Sequence, residues 1–142
     1  MVDSKELKPR VGMGVIVFKD GKILLAKRKG QFGNGEYQFP GGHLEYMETF
    51  EECAMRETKE ECDIEIKNIR FVSVGTTKLY PPRHYVHIGM SADWSSGEPR
   101  VMEPEKSGEW DWYPLDNLPE PLFSGSKVIL ENYQKKRVYF NS

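Results

Sequence analysis

Cysteine and histidine are scarce in this chain, with two Cys and three His in 142 residues. Cys53 and Cys62 both fall on one predicted helix and no CxxC spacing occurs, which excludes a zinc knuckle or a disulfide framework. They read as reduced packing residues of an intracellular, cytoplasmic protein. No apolar run approaches the ~20 residues needed to cross a membrane, and the opening MVDSKELKPR lacks the apolar core of a secretory signal. Charge of one sign is also missing: charged residues make up 30% of the chain, yet the net charge is −2. That argues against a nucleic-acid polymer as partner. Internal repeats, low-complexity tracts and long linkers are absent. One domain over residues 1–142, with a core from about 9 to 136, is the simplest organisation, and the length allows a real core.

Glycine and proline are absent from Phe50 to Cys62, so that stretch is predicted to be helical. Thr49 is a plausible N-cap and Glu52 completes a capping box. At about 100° per residue, Cys53, Ala54 and Thr58 form a weakly apolar face around Phe50. Glu57 and Glu61 fall in the middle of that same face, with Glu60 beside them. Like charges one turn apart weaken an exposed helix slightly. Partly buried, they raise one another's pKa or require a cation. A hard divalent ion with oxygen ligands, most naturally Mg²⁺, resolves the conflict. Two carboxylates on a solvated helix rim would serve no purpose, so the spacing alone decides little.

Val11 to Phe18 reads as a strand with two glycines, Gly12 and Gly14, where something approaches its backbone. Asp20-Gly21 suits a two-residue hairpin into a second strand, Ile23 to Arg28. Arg28 shares a face with Leu24 and Ala26, so it could meet phosphate in a cleft. GQFGNGEY is a glycine-rich loop, and Pro40-Gly41-Gly42-His43 a turn whose bare backbone can approach a ligand. His43 could contact substrate or carry a proton. Ile69 to Thr76 and Tyr85 to Ala92 read as strands, joined by a loop carrying Tyr80 and Arg83. Trp110 to Tyr113 is a short strand, and Ser126 to Lys136 an amphipathic helix presenting Val128, Ile129, Leu130 and Tyr133. Strands on either side of a central helix, closed by a final helix, make an α/β sandwich around a mixed sheet.

Gly42, Glu48, Arg56-Glu57 and Glu60-Glu61 stand at spacings that resemble the Nudix box, G-x5-E-x7-R-E-U-x-E-E-x-G-U with U a bulky apolar residue. At roughly 5–8% per residue type, six chance matches occur at about 10⁻⁷ per starting position. Thr58 replaces an apolar position and Asp63 replaces the glycine that ends the helix; Asp tolerates the left-handed conformation better than most residues. The resemblance implies an α/β/α sandwich, the Nudix fold, and Mg²⁺ held by Glu57 and Glu61, with Mn²⁺ as a substitute. It also implies that Glu60 is a further ligand or the general base, and that the backbone at Gly42, beside Gly41, contributes a ligand. A further carboxylate is expected from Glu103 or Glu105, with Glu105 favoured. Arg56 is expected to pair with Glu48 and hold the loop against the helix.

FPGGHLEYMETFEECAMRET and MEPEKSGEWDWYPLDNLPEPLF are similar to the MutT-related branch of small nucleoside-triphosphate diphosphatases in animals and plants. That resemblance implies conversion of (d)NTPs, oxidised guanine nucleotides included, to nucleoside monophosphate and pyrophosphate, usually by a homodimer that cleans the nucleotide pool. The base is expected near Phe123 and Gly125. Plant relatives of this branch accept prenyl diphosphates. Tyr80 and Pro81-Pro82, in the region where dinucleotide and ADP-ribose subgroups carry a marker, leave those substrates open. A silent nucleotide-binding module is the third reading, opposed by the complete set Glu57, Glu60 and Glu61.

Overall fold

A computed structural model of the chain describes residues 7–30, 32–78 and 81–141. Tyr80, weighed above as a marker, lies outside the described residues. Strand β1 (Arg10–Lys19) turns through Asp20 and Gly21 into β2 (Lys22–Arg28). Both turn residues have positive φ, 51° and 76°, the backbone that a two-residue hairpin with correctly twisted strands demands. Two short strands follow, β3 (Tyr37–Gln38) and β4 (Gly41–His43), then helix α1 (Phe50–Cys62). The long strands β5 (Glu65–Thr77) and β6 (Tyr85–Ser96) come next, then β7 (Ser107–Pro114), helix α2 (Ser124–Lys135) and β8 (Tyr139–Asn141).

The strands form one mixed sheet in the order β3-β2-β1-β6-β5-β8, with β4 added to β1 and β7 to β2. β1–β6 and β5–β8 are parallel and the other pairs antiparallel. Alternation along β1 sends Val15 and Val17 to one face, where they join Cys53 and Ala54 of α1 in one core cluster. Ile16 points the other way and meets Ile129 and Leu130 of α2 in the second. The sheet is thus sandwiched between the helices. This is the architecture expected, with the box helix on one side and the final helix on the other.

β1 is shared between two partners. Its later half pairs with β2, where Phe18 faces Ile23, and its earlier half pairs with β4, where Gly12 faces His43. Residues 41–43, read from sequence as part of a turn, are therefore a strand. The sheet brings Gly41 so near β1 that a methyl group there would collide with the Met13 carbonyl. Glycine at this point permits close pairing rather than chain reversal. Phe50, expected at the centre of the apolar face, is the first residue of α1 and is 37% exposed. β8 had no sequence signal: three residues are too few for a period to show.

Candidate active site

α1 begins as its capping box dictates. Thr49 accepts the Glu52 N–H at 3.0 Å, and the Glu52 carboxylate accepts the Thr49 N–H at 2.9 Å. The helix ends on Asp63 in the left-handed region (φ 59°, ψ 41°), the position where the family pattern wants glycine. Asp63 is held there by ion pairs to Lys59 and Arg100 at 3.2 and 2.6 Å. Thr58 is fully buried, and its hydroxyl donates to the Ala54 carbonyl at 2.9 Å, so the departure from an apolar residue leaves no orphaned group.

This helix presents Glu57 and Glu61 to one wall of a cleft of about 630 Å³, each only 8% exposed. Gly41 donates its N–H to Glu61 Oε1 at 2.6 Å. Gly42 lies so close to Glu57 that a Cβ would run into the carboxyl group. Burial, with the charges of Glu57 and Glu103 adding to it, pushes Glu61 up to about 8. Burial likewise raises Glu57, although Arg56 opposes the rise. Glu60 is exposed at the mouth.

Arg56 organises the wall. Its Nε and Nη2 donate to the two oxygens of Glu48 at 2.6 and 3.0 Å, a bidentate pair. Nη1 donates to Glu57 at 2.6 Å and to Glu60 at 3.2 Å, while Nη2 also reaches the His43 carbonyl at 2.9 Å. The guanidinium therefore ties the loop to the helix, and its hydrogen bonds hold Glu48 down to about 2. Arg56 thus bridges Glu48, Glu57 and Glu60, while the Gly41 amide engages Glu61. Among the described residues no three acidic, histidine or cysteine side chains are gathered closely enough to hold a metal ion as they stand.

Glu103, not Glu105, lines the cleft; Glu105 is exposed outside it. The reason lies in how the loop is attached. The Arg100 N–H donates to the Cys62 carbonyl at 2.9 Å, and Trp110 Nε1 donates to the Glu61 carbonyl at 3.2 Å. These bonds pin both ends of the loop to the last turn of α1 and turn Glu103 inward. Lys106, which sequence reasoning missed, sits in the cleft with its ammonium 3.3 Å from Glu103. Its position on the loop, three residues past Glu103, offered no periodicity to read.

At the other end of the cleft the lining is aromatic and basic. Arg28 lies over the Phe123 ring at 4.0 Å and donates to Gln38 Oε1 at 2.5 Å and to the Phe32 carbonyl at 3.0 Å. It lines the cleft as expected, but its guanidinium organises the aromatic end. Arg83 covers Phe32 at 4.4 Å. His43 stacks on Tyr85 with ring centres 5.6 Å apart and its Nε2 3.1 Å from the tyrosine hydroxyl. Partial desolvation, then the charges of Arg10, Arg83 and Lys106, hold the His43 imidazole below its usual value. Gly125 and His87, the latter missed from sequence, complete this end. Of the residues picked out from sequence, the structure brings Arg28, Gly41, Gly42, His43, Arg56, Glu57, Glu60, Glu61, Phe123 and Gly125 to one cleft. Glu48 stands behind it and Glu105 apart from it.

Glu57, Glu60, Glu61 and Glu103 and the Gly42 backbone line this cleft with oxygen donors, chemistry that fits a hard divalent cation better than zinc or copper, although they are not gathered around one point. The missing Cβ at Gly42 is what lets backbone and carboxylate share that space.

The NUDIX domain model matches residues 8–133. Among relatives, the NAD-capped RNA hydrolase NudC of Pseudomonas entomophila is 32% identical over 135 residues, which is 92% of this chain and 47% of that protein. The chain thus spans about half the length of the NudC relatives it matches. An ADP-ribose pyrophosphatase of Methanocaldococcus jannaschii is 36% identical over 124 residues, covering 87% of this chain and 72% of that one. Among solved structures, a MutT NUDIX hydrolase from Burkholderia pseudomallei superposes with a TM-score of 0.82 at 36% identity, covering 88% of this chain and 98% of that one.

Proposed function

The chain belongs to the NUDIX family, and from that premise we propose that it hydrolyses a diphosphate linkage in a nucleoside derivative with a divalent cation. One observation carries this reading. The buried pair Glu57 and Glu61 shares a cleft wall with Glu60, Glu103 and the bare Gly41-Gly42 backbone, and the far end of the same cleft is aromatic. Its volume of about 630 Å³ lies within the range of small-molecule sites.

Glu57, Glu61, Glu60 and Glu103, with the Gly42 backbone, would hold the ion. Bound there, a cation such as Mg²⁺ or Mn²⁺ neutralises phosphate oxygens and acidifies a water. The chain's own groups do the rest. The Gly41 N–H orients Glu61, and Arg56 with Glu48 fixes Glu57 and Glu60. Lys106 adds positive charge beside Glu103, where anionic phosphate must lie. Glu60, exposed at the mouth and reachable by solvent, would serve either as a further holder of the ion or as the base that takes a proton from the attacking water.

Two substrate classes fit. Nucleoside triphosphates, oxidised ones included, cleaved to monophosphate and pyrophosphate, are favoured by likeness to the MutT NUDIX hydrolase across nearly all of that chain. ADP-ribose-type diphosphates are favoured by the ADP-ribose pyrophosphatase relative. Purified protein with Mg²⁺ would be offered dGTP, 8-oxo-dGTP, ADP-ribose and diadenosine tetraphosphate, with Glu61→Gln as control. Monophosphate and pyrophosphate from triphosphates select the first class, and AMP with ribose phosphate from ADP-ribose selects the second. No metal-dependent turnover of any of the four would sink the reading.

A further inference from the structure

Strand register places five residues side by side on one face of the sheet. His43 faces Gly12, Gly12 faces His87, His87 faces Gly75, and Gly75 faces Phe140. Alternate members of the row are bare. A Cβ on Gly12 would touch the His87 ring at 3.4 Å, and one on Gly125, at the start of α2, would approach it at 3.1 Å. Gly75 is covered by the Phe140 ring. In the next row, Gly14 and Gly89 are sealed instead by Ile129 of α2. Both Gly14 and His87 line the cleft, but Ile129 fills the space above the glycine row while His87 presents its own ring.

His87 lines the cleft and makes no hydrogen bond with any described residue; burial alone holds its imidazole neutral, down to about 4. Nearby on the same sheet face Thr77 lines the cleft with its hydroxyl buried and unpartnered. A buried hydroxyl of this kind costs stability unless something completes it, and His87, only half-buried, lines the cleft beside it. Phosphate is a poor match for an uncharged ring, and the cleft already offers Lys106 to anions at its carboxylate end. A neutral imidazole carries one donor and one acceptor, the complement of an uncharged polar edge. Phe123, stacked under Arg28, supplies a flat wall beside it.

We propose that His87 is a specificity-determining residue that hydrogen-bonds the heterocycle of the substrate's nucleoside, with Thr77 as its neighbour. The inference rests on the nucleoside-derivative reading above. It also selects among diphosphates, because a hydrocarbon chain in this end would leave both groups unpaired, whereas a base satisfies them.

Binding, not turnover, tests it. Calorimetric titration of the full chain in EDTA with GMP, AMP and geranyl monophosphate would compare wild type with His87→Leu, His87→Gln and Thr77→Val. Loss of a buried hydrogen bond should weaken binding of at least one nucleotide by about tenfold in His87→Leu. His87→Gln should retain most of that affinity, and geranyl monophosphate should bind the Leu variant as well as or better than wild type. Thermal melting confirms that each variant is folded; should His87→Leu fail, Thr77→Val carries the comparison, with nucleotide affinity expected to fall about fivefold and geranyl monophosphate affinity unchanged. Equal nucleotide affinity in wild type, His87→Leu and Thr77→Val overturns the proposal. So does parallel loss of nucleotide and geranyl binding, which would mark mere packing, or a wild type that binds no nucleotide. Nucleotide binding without hydrolysis would instead defeat the proposed activity and leave this inference standing.

Discussion

Gly41 donates its backbone N–H to Glu61 Oε1 at 2.6 Å, fastening β4 to the last turn of α1. A glutamine oxygen accepts the same bond, so Glu61→Gln should keep the fold and lose the charge. Activity is expected to fall by roughly 10²–10⁴-fold. Circular dichroism should be unchanged, and steady-state kinetics checks the loss.

The same residue makes metal-free stability depend on pH. Its folded pKa of about 8 stands above the ordinary carboxylate value of 4.5. A raised folded pKa contributes stability that is full below 4.5 and is lost as pH rises through about 8. In EDTA, wild type should therefore melt progressively lower relative to Glu61→Gln across that window. Mg²⁺ should raise the melting temperature of wild type more than that of the variant. A constant gap at every pH would contradict this.

Arg56 and Glu48 give the opposite slope. Arg56 holds the charged form of Glu48 and brings its pKa down to about 2 in the fold, against an ordinary carboxylate value of 4.5. Its contribution is present above 4.5 and disappears as pH falls through about 2. Glu48→Gln should thus be destabilised at neutral pH and approach wild type near pH 2, as melting curves can show. Because the pair orients Glu57 and Glu60, the variant should also lose roughly 10–100-fold in activity.

Glu103→Gln should reduce activity by about tenfold or more. Glu105→Gln should stay close to wild type, since its carboxylate lies outside the cleft. Parallel assays at saturating Mg²⁺ decide the point, and equal losses would count against the placement of Glu103.

Gly42→Ala puts a methyl group into the Glu57 carboxyl. The variant should fold, because the neighbour that must yield is a side chain. It should need more Mg²⁺ for half-maximal activity, read from a metal titration. Gly41→Ala meets the Met13 backbone instead and should lower the melting temperature markedly.

The box helix was legible because its information is local. The capping box, the Glu57–Glu61 spacing and the left-handed exit at Asp63 all lie within one short stretch. The α/β/α layering followed from the order of periodic segments. β4 was not legible, since its glycines signal a turn when read locally and reveal close strand pairing only beside β1. That Glu103 rather than Glu105 would face the cleft was not legible, because the loop's orientation depends on bonds to carbonyls in α1. His87 gave no signal at all: a histidine in a strand becomes notable only when register sets bare glycines on either side.

The loop that carries Glu103 also finishes α1. Its N–H at Arg100 and the indole of Trp110 occupy carbonyls of Cys62 and Glu61 at the helix terminus. Loop length is consequently not a free variable. An insertion there would fray the helix that holds Glu61 and swing Glu103 away in one event. Any diversification of this protein, natural or engineered, is thereby steered away from that segment.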